Sequence, residues 1–548
     1  MDHSTTSPRS AETYTPDAAP AAPAAGSHRQ DQVLWRHLPS WWPLLAVLAV
    51  QAGLSLRLVR ADTAFQDEAA YLWAGHLEWA HWLHGAPVPP FSSYFSGSPV
   101  IYPPIGALAD AVGNVAGARI LSLAFMLGAT ALLWGAADRL YGHRAAFFAA
   151  ALFAALGPTL HLGAFATYDA MAVFLVALAA WLVVRAGDNG DQTGRMVAAG
   201  VALALANATA YSSALFDPIV VLLALLTAFP KPGGKTAARR IAIILVVVVT
   251  LLLVGLLIGG SSYLNGISVT TLHRTPGAAS APSVLADGWS WTGVVLILAV
   301  CGIIVSWVGR QGRRRTWLLA VLTIAAILGP AEQANLHTAA SLNKHVGLGA
   351  WFAAIAAGYA VARFVEAAAA GRTRTLTCGA CVLALVFPLS LGIGQSHAFS
   401  TSWPNSSSFI AIFRPLADGG TGHLLVEDPS IAEYYLPAGS QWQRWSSTRN
   451  IVLPSGTSSG GPSQSAGVVG AGNAGTFALY IEKHYFSLVA LNNADTASLD
   501  LRIDADLRRW NYHIVQVVPY GIEVPPIGKG TYVIWRYDPP KPQHEPHK

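Results

Sequence analysis

Eleven long apolar runs constrain the fold of this 548-residue chain more than any other feature of its sequence. A bilayer core about 30 Å thick requires about 20 mostly apolar residues for each helical crossing. Such runs lie near 41–59, 117–137, 145–163, 168–185, 196–211, 214–229, 241–262, 289–308, 316–331, 346–366 and 375–396. The sequence therefore predicts a polytopic α-helical membrane protein with about eleven transmembrane helices.

The composition agrees with this class and excludes two others. Hydrophobic residues make up 53% of the chain and charged residues 11%, whereas a soluble domain has about 25% charged residues. The net charge of +5 would suit nucleic acid, but the basic residues lie in short loops between apolar runs, so no nucleic-acid partner is predicted. Cys301, Cys378 and Cys381 fall inside apolar runs, which argues against a disulfide framework.

The positions of Lys and Arg predict the orientation of the spans. Cytoplasmic loops of membrane proteins are enriched in these residues. Every second connection is basic: Arg139 and Arg144, Arg185 and Arg195, Lys231–Arg240, Arg310–Arg315 and Arg363–Arg374. We therefore expect a multi-pass protein of the cell membrane with a cytoplasmic N-terminus. An odd number of spans places the C-terminus outside the cytoplasm.

Changes in composition predict three regions. Residues 1–35 are rich in Ala, Pro, Ser and Thr and indicate a disordered cytoplasmic tail. Residues 36–397 form the transmembrane domain, with a large first external loop at 60–116. Residues 398–548 indicate a small external α/β domain, with Gly/Ser-rich sequence at 455–475. Its strand candidates are His423–Val426, Phe477–Ile481, Ile514–Val518 and Tyr532–Trp535, and its helix candidates are Ser430–Leu436 and Ala497–Trp510.

Polar residues gather at the external ends of the spans, and the first group is the pair Asp67 and Glu68. Neighbouring residues on a helix point about 100° apart, so the two carboxylates cannot face one ligand atom. Asp67 and Tyr71, four residues apart, share a face. We expect one acid to react and the other to support it. The alternative is that the pair only caps a short interfacial helix.

Two further features lie at external helix ends. Tyr102-Pro103-Pro104 precedes an apolar run, and proline is favoured in the first turn of a helix, so a helix is expected to start there. Asp169 lies at the outer start of the fourth span, where a carboxylate interacts favourably with the helix dipole. Both features also fit purely structural roles, as a helix start and as an ordinary cap.

The last polar group precedes the tenth span and comprises Glu332, Gln333, His337, Lys344 and His345. Lys344 and His345 lie beside a predicted helix N-terminus, where free amide groups and an ammonium both favour an anion such as phosphate. The alternative is that Lys344 extends its charged end to the membrane interface.

Together these motifs resemble the GT-C glycosyltransferases over roughly residues 40–400. More narrowly, they resemble the superfamily of protein O-mannosyltransferases and lipid A aminoarabinose transferases, including its RgtA/B/C/D-like bacterial members. The resemblance implies a sugar donor carried on a polyprenyl phosphate, transfer on the external side of the membrane, and inversion at the anomeric carbon.

The resemblance also implies roles for individual residues. Asp67 would be the general base that deprotonates an acceptor hydroxyl, with Glu68 as its catalytic partner and Tyr71 holding the acceptor or the base. Asp169 would line the same cavity, and Lys344 with His345 would bind the donor phosphate. The remaining substrate-binding candidates are Tyr102, Glu332, Gln333 and His337.

No cofactor is predicted, and no essential metal is expected because no convincing ligand cluster is visible in the sequence. The predicted partners are the lipid-linked donor, membrane lipids, and a glycan, lipid or protein acceptor. Two other classes stay open. A transporter or flippase for lipid-linked sugars would place charges near mid-membrane on broken helices. A non-catalytic cell-envelope scaffold would leave the acidic pair dispensable.

Overall fold

Helices dominate this computed structural model, which describes residues 41–93, 95–186, 192–228, 234–274, 276–369, 374–453, 468–494, 496–519 and 531–538. The predicted disordered tail at 1–35 lies outside these residues, as does most of the Gly/Ser-rich segment. Of the three cysteines, the structure describes the side chain of Cys301, which is a free thiol.

Thirteen helices make up the first part of the described chain. They are α1 (Trp42–Leu56), α2 (Gln66–His84), α3 (Tyr102–Tyr141), α4 (His143–Ala154), α5 (Gly157–Leu162), α6 (Tyr168–Arg185), α7 (Gln192–Thr209), α8 (Asp217–Ala228), α9 (Gly234–Ile267), α10 (Ala281–Val308), α11 (Arg313–Asn335), α12 (Leu342–Ala369) and α13 (Arg374–Ser400). Short 3₁₀ turns occupy Phe91–Ser93 and Tyr211–Phe216.

These helices confirm the predicted fold class. Every predicted span overlaps a helix, and within the described part of the chain eight helices are long and apolar enough to cross a membrane. The third predicted span is split into α4 and α5, because Ala155 and Leu156 end one helix and Leu156 precedes the next in an extended conformation. The orientation of the two termini stays a prediction.

The predicted first external loop contains most of the structure that positions the site. It holds all of α2 and the first turns of α3, which begins at Tyr102 with prolines in its first positions, as the sequence predicts. Within α3 the helical geometry breaks at Gly113 and Asn114, and Asn114 has a φ of 54°. The segment before this break can therefore follow a direction different from that of the membrane-spanning segment after it.

The C-terminal part contains a mixed five-stranded sheet. The described strands of the C-terminal part, including a separate pair outside this sheet, are β1 (His423–Val426), β2 (Trp445–Ser446), β3 (Asn450–Leu453), β4 (Val468–Ala471), β5 (Phe486–Leu491), β6 (Tyr512–Pro519) and β7 (Thr531–Tyr537). The sheet order is β2-β1-β5-β7-β6, while β3 and β4 form a separate antiparallel pair. β1 pairs in parallel with β2 and β5, and β7 is antiparallel to β5 and β6.

Four helices accompany this sheet: α14 (Ser407–Asp418), α15 (Ser430–Tyr435), α16 (Ala474–Glu482) and α17 (Ala497–Arg509). Both predicted helices are confirmed, as are three of the four strand candidates. The strand prediction for Phe477–Ile481 is wrong, because the segment lies in α16. Asn473 caps this helix by accepting a hydrogen bond from the Thr476 N–H, and Phe477 and Ile481 share its buried face four residues apart.

The C-terminal part packs directly on α2 and α3. Tyr434 in α15 donates a hydrogen bond of 2.5 Å to Asp110 in α3, and Asp110 also contacts His76 in α2 at 2.7 Å. Two indole N–H groups add hydrogen bonds: Trp73 donates to the Gly439 carbonyl, and Trp442 donates to the Pro87 carbonyl. These contacts hold the C-terminal part against α2 and the first turns of α3.

Candidate functional site

Three charged residues that are distant in sequence meet at one end of the helices. The Lys344 ammonium lies 2.7 Å from Oδ2 of Asp67 and 3.9 Å from Oδ2 of Asp169. Lys344 and Asp169 are buried, whereas the Asp67 side chain keeps 30% of its exposure. We refer to Asp67, Asp169 and Lys344 as the Lys344 cluster. The sequence predicts all three residues as site residues, and the structure brings them together.

Each member of the Lys344 cluster lies in the first turn of its helix: α2, α6 and α12. A helix N-terminus carries the equivalent of about half a positive charge. The carboxylates are therefore favoured by their helices, and Lys344 is held at an otherwise unfavourable place by its two partners. The turn before α12 requires Ser341 in the left-handed region, at a φ of 66°.

Glu68 points away from this cluster into a buried ion pair. Its carboxylate accepts hydrogen bonds from Arg119 Nη2 at 2.6 Å and Nε at 2.8 Å. Its two oxygens also accept from the backbone N–H groups of Phe65 and Ala166. Arg119 is 1% exposed and donates in addition to the carbonyls of the segment that leads into α2. With both oxygens occupied, Glu68 has the geometry of a positioning residue.

Tyrosine rings form the buried side of the site. Tyr71 packs against Tyr168 with ring centroids 4.7 Å apart, and against Phe95 at 4.9 Å. Tyr102 is fully buried and lies edge-on to Tyr71 at 6.5 Å. Burial, with Tyr168 and Asp67 nearby, raises the pKa of Tyr71 well above its usual value. Tyr71 therefore stays neutral and can donate a hydrogen bond.

A cleft of about 360 Å³ opens beside the Lys344 cluster. One wall consists of residues of α2, including Asp67 and Tyr71, together with Pro89, Phe91 and Phe95. The C-terminal part supplies the other wall, with residues that include Glu433 and Trp442. Glu433 is 8% exposed, and burial beside Asp428 raises its pKa well above the usual range. The cleft thus joins aromatic surface, the partly exposed carboxylate of Asp67 and the buried carboxyl group of Glu433.

The other predicted site residues fall into two groups. Gln333 is buried and His345 half-buried beside the turn before α12, where the Gln333 amide oxygen accepts from His345 Nδ1 at 2.7 Å. Glu332 and His337 are exposed, and the His337 ring contacts the Ala279 carbonyl. Among the described contacts, neither joins the Lys344 cluster. The placement of these two residues gives no support for substrate binding.

Sequence reasoning missed two groups of residues. Arg119 lies inside the predicted second span, and an ionisable residue in a span is a signal for a buried partner or a functional site. The wall formed by Glu433 and Trp442 carries no comparable sequence signal, because its relation to Asp67 depends on how the C-terminal part packs on α2. Among the described residues, no group of three or more His, Cys, Asp or Glu side chains could hold a metal ion.

Comparison with protein families matches part of the chain. A family model described as dolichyl-phosphate-mannose-protein mannosyltransferase matches residues 105–258, from the first turns of α3 into α9. The comparison with curated proteins gives no match.

Solved structures match over most of the chain. ArnT from Cupriavidus metallidurans, bound to undecaprenyl phosphate, has a TM-score of 0.57 at 14% identity, with 91% of this chain and 98% of that chain covered. The oligosaccharyltransferase of Archaeoglobus fulgidus in the apo form has a TM-score of 0.53 at 14% identity, with 90% and 76% covered. At these identities the likeness shows the fold. It is the GT-C fold, and the predicted resemblance to GT-C glycosyltransferases is confirmed.

Proposed function

We propose that this chain is a membrane glycosyltransferase that moves a sugar from a polyprenyl-phosphate donor to an acceptor hydroxyl, with inversion at the anomeric carbon. The observation that carries the proposal is the Lys344 cluster at the cleft, where a partly exposed carboxylate meets a buried ammonium. The proposal of a membrane glycosyltransferase with a polyprenyl-phosphate donor is also supported by the mannosyltransferase family model and by the fold similarity to ArnT, which was solved with undecaprenyl phosphate.

Asp67 is the proposed general base. It is the member of the Lys344 cluster that lines the cleft and keeps substantial exposure, so an acceptor hydroxyl can reach it. Attack on the anomeric carbon requires removal of the hydroxyl proton, and a positioned carboxylate typically accelerates such a step by about 10²–10⁴-fold.

Lys344 is the proposed contact for the leaving phosphate. An ammonium has three N–H donors, of which Asp67 accepts one at 2.7 Å, while Asp169 at 3.9 Å contributes its charge without a hydrogen bond. The formal charge of the cluster is −1, but three helix N-termini, each equivalent to about half a positive charge, converge on it. We propose that a phosphate oxygen accepts from a remaining donor, without net repulsion from the cluster.

The remaining residues of the site have proposed roles that support Asp67 and Lys344. Tyr71, with Tyr102 and Tyr168 behind it, forms the aromatic side of the site, and Asp169 holds Lys344. We assign Glu68 a positioning role, because Arg119 and two backbone N–H groups occupy its carboxylate. A glycan, lipid or protein acceptor would enter between α2 and the C-terminal wall. No step of this mechanism uses a metal ion.

Transfer assays with Asp67→Asn test the proposal most directly. Membranes containing either the wild type or Asp67→Asn would receive a panel of radiolabelled polyprenyl-phosphate sugars and a crude cell-envelope acceptor fraction. We expect the wild type to label the acceptor from one donor, and the variant to lose at least about 100-fold of that rate. Equal labelling by the two proteins would remove Asp67 from the mechanism.

A matched control is Asp62→Asn, because Asp62 lies five residues earlier in the segment that leads into α2, is half-buried and does not line the cleft. This variant should keep transfer near the wild-type rate. The same membranes also test the transporter alternative. Movement of labelled donor across the bilayer without transfer to an acceptor, unaffected by Asp67→Asn, would favour a carrier over an enzyme.

A further inference from the structure

A second cavity lies at the opposite end of the helices from the Lys344 cluster. Its volume is about 400 Å³, and its lining includes Arg139, Arg314 and Arg315 together with Tyr141 and Gln311. We refer to it as the arginine cavity. Arg139 and Tyr141 lie at the last turn of α3, and Arg314 and Arg315 at the first turn of α11. The proposed transferase mechanism uses none of these residues.

The charge of the arginine cavity is one-sided. Three guanidinium groups line it, and none of the described lining residues is acidic. Arg314 donates to the Leu226 carbonyl at 2.6 Å, and Arg315 donates to the Gln311 side chain at 2.8 Å. A guanidinium has five N–H donors, so both side chains keep donors for a further acceptor.

Two buried tyrosine hydroxyl groups lie at the same end. The hydroxyl oxygens of Tyr141 and Tyr359 are buried and have no hydrogen-bond partner in the described structure, and their rings pack 4.9 Å apart. A buried hydroxyl without a partner is costly, by about 1–3 kcal/mol. Tyr141 also lines the arginine cavity, and a bound acceptor atom that reached its hydroxyl would give that group a partner.

We propose that the arginine cavity binds the phosphate of an anionic lipid headgroup. Phosphate presents several acceptor oxygens and matches the geometry of guanidinium donors. The lipid is favoured as the source because α3 and α6 are apolar spans that end at this cavity, where the headgroups of one leaflet would lie. The bound headgroup would connect the ends of α3, α8 and α11.

Lipid-dependent thermal stability of the purified full-length protein tests the site. Unfolding midpoints would be measured in detergent with added phosphatidylglycerol, with phosphatidylcholine, or with inorganic phosphate alone. We expect stabilisation that saturates with phosphatidylglycerol and is weak with the other two. Equal stabilisation by the two lipids would overturn the proposal. A saturating effect of inorganic phosphate alone would overturn the lipid source.

Arginine variants test whether the stabilisation by phosphatidylglycerol arises at the arginine cavity. The double variant Arg314→Gln with Arg315→Gln should weaken the phosphatidylglycerol dependence by at least about tenfold. Arg313→Gln is the matched control, because Arg313 is exposed in the same helical turn and does not line the cavity. A loss of the same size in the Arg313→Gln variant would show a general surface-charge effect and would overturn the assigned site.

If the double variant does not fold, the Tyr141→Phe variant still tests lipid binding at the arginine cavity. Removal of a hydroxyl that lacks a partner should leave the lipid-free midpoint unchanged or slightly higher. The same change should weaken the phosphatidylglycerol effect by about tenfold, because a hydrogen bond to a charged group is lost. An unchanged lipid dependence in this variant would contradict the predicted contact with the phosphate.

Discussion

The Lys344 cluster and the arginine cavity lie at opposite ends of α6, which contributes Asp169 to the first and Val184 to the second, and they differ in how their charges are arranged. At the first, each buried or partly buried charge has a partner of opposite sign within 4 Å. At the second, three arginines converge without an acidic residue among the described lining. An internally paired cluster can persist without an added ligand. A one-sided charge concentration instead favours an anion from outside.

The comparison predicts that removing one member of an ion pair destabilises the protein most where the pair is most deeply buried. Glu68→Gln would leave Arg119 as a buried cation without its carboxylate, which costs about 3–5 kcal/mol. We expect a large fall in the yield of folded protein and in its unfolding midpoint. Glu78→Gln is the control, since Glu78 is a buried glutamate of the same helix without an ion pair among the described contacts. Similar midpoints for the two variants would contradict the structural importance of the Glu68–Arg119 pair.

An intermediate effect is expected for Lys344→Met. Methionine preserves the apolar part of the side chain but leaves Asp67 and Asp169 close together without a cation, so stability should fall by about 1–3 kcal/mol and transfer should be lost. The double variant Lys344→Met with Asp169→Asn should regain stability but not transfer. Thermal unfolding and the radiolabel assay separate these outcomes. If the double variant is no more stable than the single one, the charge balance proposed for the cluster is wrong.

A smaller effect concerns a carboxyl in the C-terminal part. Burial and then the neighbouring Glu427 raise the pKa of Asp500 to about 8. Because the folded state binds this proton more tightly than the unfolded state, its contribution to stability is lost as pH rises through about 8. Asp500→Asn mimics the protonated form and should flatten the fall in unfolding midpoint between about pH 4 and pH 8. An identical pH profile for wild type and variant would exclude this role.

The smallest effect is expected for Arg314→Gln without added lipid. Arg314 is exposed, and the hydrogen bond that its side chain makes in the described structure is to the Leu226 carbonyl, so its loss should change stability by less than about 1 kcal/mol. This result, beside the large effect of Glu68→Gln, would confirm that the two ends differ in how they depend on charge. A loss as large as that of Glu68→Gln would break the comparison.

Much of the site could be predicted because its chemistry is local in sequence. Asp67, Asp169 and Lys344 each stand in the first turn of a helix at the end of an apolar run, where a polar residue is conspicuous. Glu68 was predicted as catalytic together with Asp67, and only its contact with Arg119 reveals its different geometry. That contact joins residues 51 positions apart, which no local pattern encodes.

The sequence by itself determined the membrane class, the approximate spans and the helix ends that carry charge, because hydrophobic periodicity and helix-terminal chemistry act over short stretches of chain. Only the tertiary structure decided which charges meet. Lys344 and Asp67 are 277 residues apart, and the wall that closes the cleft comes from the C-terminal sheet region. Such contacts depend on how helices and sheet pack on one another. Packing joins residues whose distance along the chain carries no information about their distance in space.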